Sequence, residues 1–366
     1  MRGPLRGAPL LLVPGGLALL AGLDAALTLA GLPAPAGSPR LAALHGPLMV
    51  LGFLGTVIAL ERAVALRQPW GLLAPGLLGA GALSLVLLPD PLLGRLLLLQ
   101  GLVLLVLVYV ALHQRNHDPV VAVETLGAVL AAAAALLLTR VDVAVTVPLL
   151  VAFVVLTIGA ERVELARLAM PSTATTTLTV LAALVAGTAV AATVWPDLGG
   201  RALGAVLLIL TLWLVRHDVA RRLIRSTGLP RFAAAALLLG YLWLAVAAAT
   251  LLLGGRPVGT AYDVVVHATF LGFAMSMILA HAPVILPAVL RVRLPYTAWM
   301  WLPLVLLHTT LLARVLGAVL EAVGLWESAL VGNVVALLLF VVTAVVTALS
   351  APRRGVRRPS LPEVTR

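Results

Sequence analysis

Apolar residues fill the chain in long blocks, and the polar positions between them are short clusters of Pro, Gly and Arg. A block of about 20 such residues is the length of one helical passage through a bilayer, where the backbone must satisfy its own hydrogen bonds. Reading the blocks between their punctuation predicts twelve spanning helices, near 10–31, 41–61, 71–89, 91–112, 119–139, 142–161, 175–195, 201–217, 231–254, 259–287, 297–319 and 328–350. The expected fold is all-α, a polytopic membrane helix bundle. No stretch between the blocks is long or polar enough for a soluble domain.

Comparing the blocks with one another reveals a repeat. The second reads LGFLGTVIALERAVALR over 51–67, the sixth VAFVVLTIGAERVELAR over 151–167, and the tenth begins LGFAMSMILAHAPVIL over 271–286. Glu61, Arg62 and Arg67 return as Glu161, Arg162 and Arg167 at an offset of 100. In the tenth block Phe273 again precedes a polar residue by eight positions, as Phe53 precedes Glu61, but that residue is His281. Three four-helix units, each with its second helix as the equivalent member, account for twelve spans. Their limits fall near 1–112, 113–217 and 218–350 within one transmembrane domain, and 351–366 is expected to be a disordered, basic cytoplasmic tail. The Glu-Arg pairs read as closures of helix ends at the membrane surface rather than as catalytic groups.

Composition narrows the chemistry. With 62% apolar residues, 11% charged residues and a mean hydropathy of +1.14, no water-soluble fold can hide the apolar surface. There are no cysteines, which excludes disulfides, iron–sulfur clusters, covalent c-type haem and thiolate metal sites. Any bound metal must rely on His, Met or carboxylate oxygen. The formal charge is +11 and all 25 basic residues are Arg. If both termini are cytoplasmic, 19 of the 25 lie on inside segments, five (Arg40, Arg95, Arg140, Arg201 and Arg256) lie outside, and Arg314 sits within a span. This is the positive-inside pattern of a bacterial plasma-membrane protein with an even number of spans. The basic surplus therefore implies topology and anionic lipid, and no nucleic acid. Arg2, Arg6 and the run ending Ala34-Pro35-Ala36 also have the form of a cleavable leader, but Asp24 within the run and the place of the first helix in the repeat favour its retention.

In so apolar a chain the polar side chains inside spans are the candidate chemistry. His113, His117 and His217 fall among charges in loops and read as solvated. His45, His267, His281 and His308 fall inside apolar blocks. From the helical rise, His45 lies about four residues inside the outer end of its span, His267 about eight, and His308 roughly eleven from the inner start of its span, so the three can share the outer half of the bilayer. His281 lies 14 residues beyond His267 on the same helix face, about 21 Å away, too far for one ion. Two polar levels follow, an outer one with His267 and an inner one with His281 beside Glu61 and Glu161. Met49 follows His45 by four residues on the same face, and an imidazole–thioether pair suits haem iron or copper, though a Met also fills helix interfaces. Asp263 is placed to accept the ring N–H of His267. Arg314 either pairs with an anion such as a haem propionate or extends to the interface.

The tenth block also carries a family resemblance. His267, Ala268, Gly272, Met277, Ile278, Leu279 and Ala280 resemble the segment of NnrS-type proteins in which His-Ala is followed by Gly and then Met-Ile-Leu-Ala. Ala313, Arg314, Val315 and Leu316 resemble that family's following helix, which ends in Arg-Val, and Met49, Gly52 and Phe53 its Met-x-x-Gly-Phe. His45 stands near the family's His-rich segment. The chain departs from the family at HGPLM (45–49), where closely spaced His residues are expected, and at His281-Ala-Pro-Val-Ile-Leu-Pro after the tenth block. The resemblance implies a twelve-span haem- and copper-containing membrane protein connected with nitric oxide, distantly like the catalytic subunit of haem–copper oxidases. It marks His45 and His267 as favoured axial ligands, with Met49 and Arg314 beside the cofactor; His281 and His308 have no counterpart in that resemblance and join His267 as metal candidates from this chain's own spans.

A respiratory oxidase is not expected from this chain alone, because its two haems and three-His copper site need about six His ligands and four are inside spans. Two other classes fit the pattern. A transporter would use Glu61, Glu161 and His281 as an inner ion site. A structural or assembly subunit would dispense with the histidines.

Overall fold

The computed structural model describes residues 7–290 and 292–351, so the tail expectation lies outside the described residues. Among them there is no strand, and twelve helices are long and apolar enough to cross a membrane. We label them α1 (Ala8–Leu29), α2 (His45–Leu66), α3 (Pro69–Leu87), α4 (Leu92–Asn116), α5 (Pro119–Leu137), α6 (Val143–Leu165), α7 (Ala174–Val194), α8 (Pro196–His217), α9 (Gly228–Gly254), α10 (Gly259–Pro287), α11 (Ala298–Val319) and α12 (Val323–Ser350). The protein is a multi-pass membrane bundle. Pro at the first position starts α3, α5 and α8, where its missing N–H removes no helical bond. The Asp118 carboxylate accepts from Val120 N at 3.0 Å and caps α5. Arg67 and His117, at φ 57° and 50°, turn the chain out of α2 and α4.

Consecutive helices pack side by side, and α1 touches α12. The helices that carry the repeated motif are the innermost: 61% of the apolar window of α2, 78% of α6 and 72% of α10 is buried, against 56% or less in every other span. Contacts of α10 with α2 and with α6 place these three together at the axis. The outer helices approach closely where glycines face a neighbouring backbone. A Cβ at Gly204 of α8 would lie 2.4 Å from Leu252 N, and one at Gly200 would lie 2.6 Å from Gly255 O. This small-x-x-x-small edge seats α8 on α9.

Two of the central helices are not uniform. Leu48–Gly55 of α2 and His267–Ala274 of α10 are π-helical, whereas α6 is α-helical from Val143 to Leu165. Both widened segments contain Leu-Gly-Phe, at 51–53 and 271–273, where α6 has Val-Ala-Phe. Each glycine admits a neighbour that a side chain would exclude. A Cβ at Gly52 would lie 2.9 Å from the Cβ of Ala82, and one at Gly272 would lie 2.4 Å from Trp243 Cγ. Long π segments are rare and concentrate at functional sites.

Candidate functional site

The two π segments bring His45 and His267 together at the Arg-poor end of the bundle. Their ring centroids are 6.4 Å apart and their planes are inclined by 23°. His45 Nδ1 lies 2.8 Å from Gly22 O on α1, and His267 Nδ1 lies 2.9 Å from Asp263 O. A carbonyl can only accept, so both rings carry their proton on Nδ1, and both Nε2 atoms keep a lone pair. The Asp263 carboxylate stands 3.1 Å from His267 Nδ1 as a second acceptor, so the backbone carbonyl shares the role expected of the carboxylate. Arg314 donates to both Asp263 oxygens, at 3.0 and 2.6 Å, and its guanidinium stacks 5.3 Å from the Trp326 ring. Arg314 is thus paired with Asp263 and buried, and does not extend to the interface. A Cβ on Gly22 would lie 2.5 Å from Met49 Sδ, so the thioether lies against the residue whose carbonyl holds His45.

Two imidazoles that oppose each other across one ion, with metal–nitrogen bonds of about 2 Å, have ring centroids a little over 6 Å apart. The rings are stacked at that spacing, and with Nδ1 tied to a carbonyl, Nε2 is the atom each ring would offer a metal. No group of three or more His, Cys, Asp or Glu side chains is disposed to hold an ion among the described residues, so two imidazoles are the core of any such site. A cavity of about 430 Å³ opens beside the same part of α10, lined in part by Pro148, Arg256, Tyr262 and Val265, and neither histidine lines it.

His308 does not join the pair. Its Nδ1 accepts from Trp243 Nε1 at 2.8 Å, which leaves the proton on Nε2, 3.3 Å from Ser276 Oγ. Ser276 donates in turn to Gly272 O in the widened segment of α10. With both ring nitrogens engaged, His308 has no lone pair for a metal and instead braces α9, α10 and α11. His281 is also elsewhere: its Nε2 lies 3.1 Å from Arg162 Nη1 at the Arg-rich end. As the helical rise predicts, His281 and His267 stand at opposite ends of α10.

At the Arg-rich end the repeated Glu-Arg pairs are cross-links between helices. Arg62 of α2 reaches Glu161 of α6 at 2.8 Å and Glu124 of α5 at 3.3 Å. Arg162 of α6 reaches His281 of α10 and forms a two-pronged pair with Asp218, just before α9, at 2.8 and 2.9 Å. Arg62 thus grips the first and second helices of the next third of the chain, and Arg162 grips the segment that follows α8 together with α10. Asp218 also accepts from Tyr241 Oη at 2.6 Å and from Ala220 N at 2.8 Å. Burial alone would raise the Asp218 carboxyl, but the hydrogen bonds and charge of Arg162, with the Tyr241 and Ala220 donors, outweigh it and hold it below its ordinary value.

Glu124, Tyr109, Asp218, Tyr241, Trp243 and Ser276 did not emerge from the sequence as site residues. Glu124 left a signal, as the one charged residue within the apolar run 119–137. Asp218 left none, since it stands in a charged loop next to Arg216 and His217.

The sequence pattern of a family described as Domain of unknown function (DUF8744) matches residues 8–349. No curated protein and no solved structure matches the chain.

Proposed function

The chain belongs to the DUF8744 family, whose description names no activity, and from its own site we propose that it is an NnrS-like integral membrane protein that binds a metal centre, copper or haem iron, through His45 and His267. The observation that carries this reading is the convergence of two imidazoles, 222 positions apart in sequence, with ring centroids 6.4 Å apart and both Nε2 lone pairs free. Placing two such half-buried rings side by side within spans, in a chain so poor in polar groups, serves no packing need that an apolar side chain would not meet better.

The chain's own residues hold the ligands. Gly22 O fixes the His45 ring, Asp263 fixes the His267 ring, and Arg314 fixes Asp263 in turn; such outer partners set the tautomer and raise ligand basicity. Met49 stands beside His45 as a soft thioether. Copper or haem iron, when bound, supplies one-electron chemistry and affinity for small diatomic ligands. Together with the family resemblance, this supports a role in nitric oxide or metal stress rather than respiration. With both termini in the cytoplasm of a bacterium, the pair lies toward the outer face of the plasma membrane.

The test is an optical spectrum and metal analysis of protein purified after expression with haem precursor and copper both supplied. A Soret band identifies haem, and bound copper without a Soret band identifies the ion. Protein that carries neither contradicts the reading.

A further inference from the structure

At the Arg-rich end of α2 one guanidinium faces three carboxylates. Arg62 lies 3.0 Å from Glu61, 2.8 Å from Glu161 and 3.3 Å from Glu124. Glu124 and Tyr109 of α4 are wholly enclosed, and neither oxygen of Glu124, nor the Tyr109 hydroxyl, nor Arg62 Nε has a hydrogen-bond partner among the described residues. The Tyr109 hydroxyl lies in the field of Glu124 and Arg62.

With three ionised carboxylates and one guanidinium, the cluster carries a net charge of −2. Among the described residues no second cation lies within salt-bridge distance of these three carboxylates. The further groups acting on Glu124 are Glu164 and Asp118, both acidic. Asp118 is paired with Arg167 and caps α5. Arg115 at the end of α4 donates to the Leu66 and Ala65 carbonyls. On α10 and α6, His281 is engaged with Arg162, and Arg162 also with Asp218. The described part of α1 offers Asp24, toward the opposite end, and α3 offers no ionisable side chain. Two uncompensated charges in a low-dielectric interior are prohibitive. A protonated carboxyl removes charge and also changes an acceptor-only group into a donor, which the enclosed Glu124 and Tyr109 oxygens lack. No three-ligand metal geometry exists here among the described residues, so the balancing species is the proton.

We propose that Glu61, Glu124, Glu161 and Tyr109 around Arg62 form an exchangeable proton-binding site within the membrane. Glu124 is its enclosed carrier, and Glu61, whose side chain is 25% exposed, is its contact with water at the Arg-rich face. In the step, a carboxylate oxygen takes a proton from hydronium: one O–H bond forms as one breaks, water leaves, and no electron moves. Because Arg62 ties α2 to α5 and α6, each proton taken up weakens the link between the first and second thirds of the chain. The site is separate from the His45/His267 centre and stands or falls independently of it.

The experiment is infrared spectroscopy of the full chain in lipid nanodiscs. The wild type is expected to show, at neutral pH, the C=O stretch of a protonated carboxylic acid that shifts in D₂O and disappears in alkali. Glu124→Gln, which leaves one unbalanced charge, reduces the band by about half, and the double variant Glu124→Gln/Glu161→Gln abolishes it. Absence of an exchangeable acid band in the wild type overturns the proposal whether or not the variants fold. A band that persists undiminished in a double variant with wild-type circular dichroism and elution overturns it as well.

Discussion

Asp218 accepts four hydrogen bonds, two from Arg162, one from Tyr241 and one from Ala220 N, and its side chain is fully enclosed. Removing one partner of a buried pair leaves the other charge stranded, so Asp218→Asn is expected to destabilise the protein by about 3–5 kcal/mol, read as a fall in the thermal midpoint in detergent. The pH dependence follows from the depressed carboxyl. Its contribution is complete above the ordinary carboxylate value near ~3.9 and is lost as pH falls through the lower folded value. Stability of the wild type therefore drops on the acid side of that value, and Asp218→Asn flattens that limb. Which residues were legible depended on their surroundings in sequence. His45 and His267 stand out against apolar neighbours, so each is visible as a candidate from sequence. Asp218 sits among charges, and only the fold shows that its loop turns inward onto Arg162. His308 was visible but misleading, since an imidazole in an apolar block looks the same whether its nitrogens are free or engaged by Trp243 and Ser276.

At the level of the helix, the predicted spans fall within a few residues of the observed ones, because Pro and Gly punctuation marks the loops. The ends of α2 and α6 run five and four residues further, to Leu66 and Leu165 rather than 61 and 161. That extension is what places Glu61, Arg62, Glu161 and Arg162 inside helices, facing partners, instead of at helix ends. The π segments were not legible. Periodicity over apolar residues has the same appearance in a widened turn, and only the contrast of Leu-Gly-Phe with Val-Ala-Phe hints that α2 and α10 differ from α6. Gly272 makes the widened turn of α10 compatible with Trp243, which in turn orients His308. Gly272→Ala is expected to cost about 1–3 kcal/mol through overpacking, again read from the thermal midpoint in detergent. Ala152, at the corresponding position in the α-helical α6, can be changed to Gly without comparable loss of packing; its cost is about 1 kcal/mol of helix propensity.

For the whole molecule, the burial of α2, α6 and α10 gives the internal repeat a physical meaning: the motif-bearing helix of each third is the one turned to the axis. Polar groups then collect at two levels, the His45/His267 pair at the Arg-poor end and the arginine cross-links at the Arg-rich end. The Arg distribution predicts an orientation with both termini inside, and that prediction is directly testable because the chain has no native cysteine. In intact cells, Ser38→Cys is expected to react with a membrane-impermeant maleimide, and Ser226→Cys only after the membrane is opened; the reverse pattern inverts the topology. The paired histidines are tested most directly by the metal and haem content per chain of the wild type beside His45→Ala, His267→Ala and His308→Ala, all purified under the same replete conditions. The account predicts one metal centre per chain in the wild type and in His308→Ala, and its loss in both His45→Ala and His267→Ala. A centre that survives the removal of either paired histidine, or a wild type that binds no metal, contradicts it.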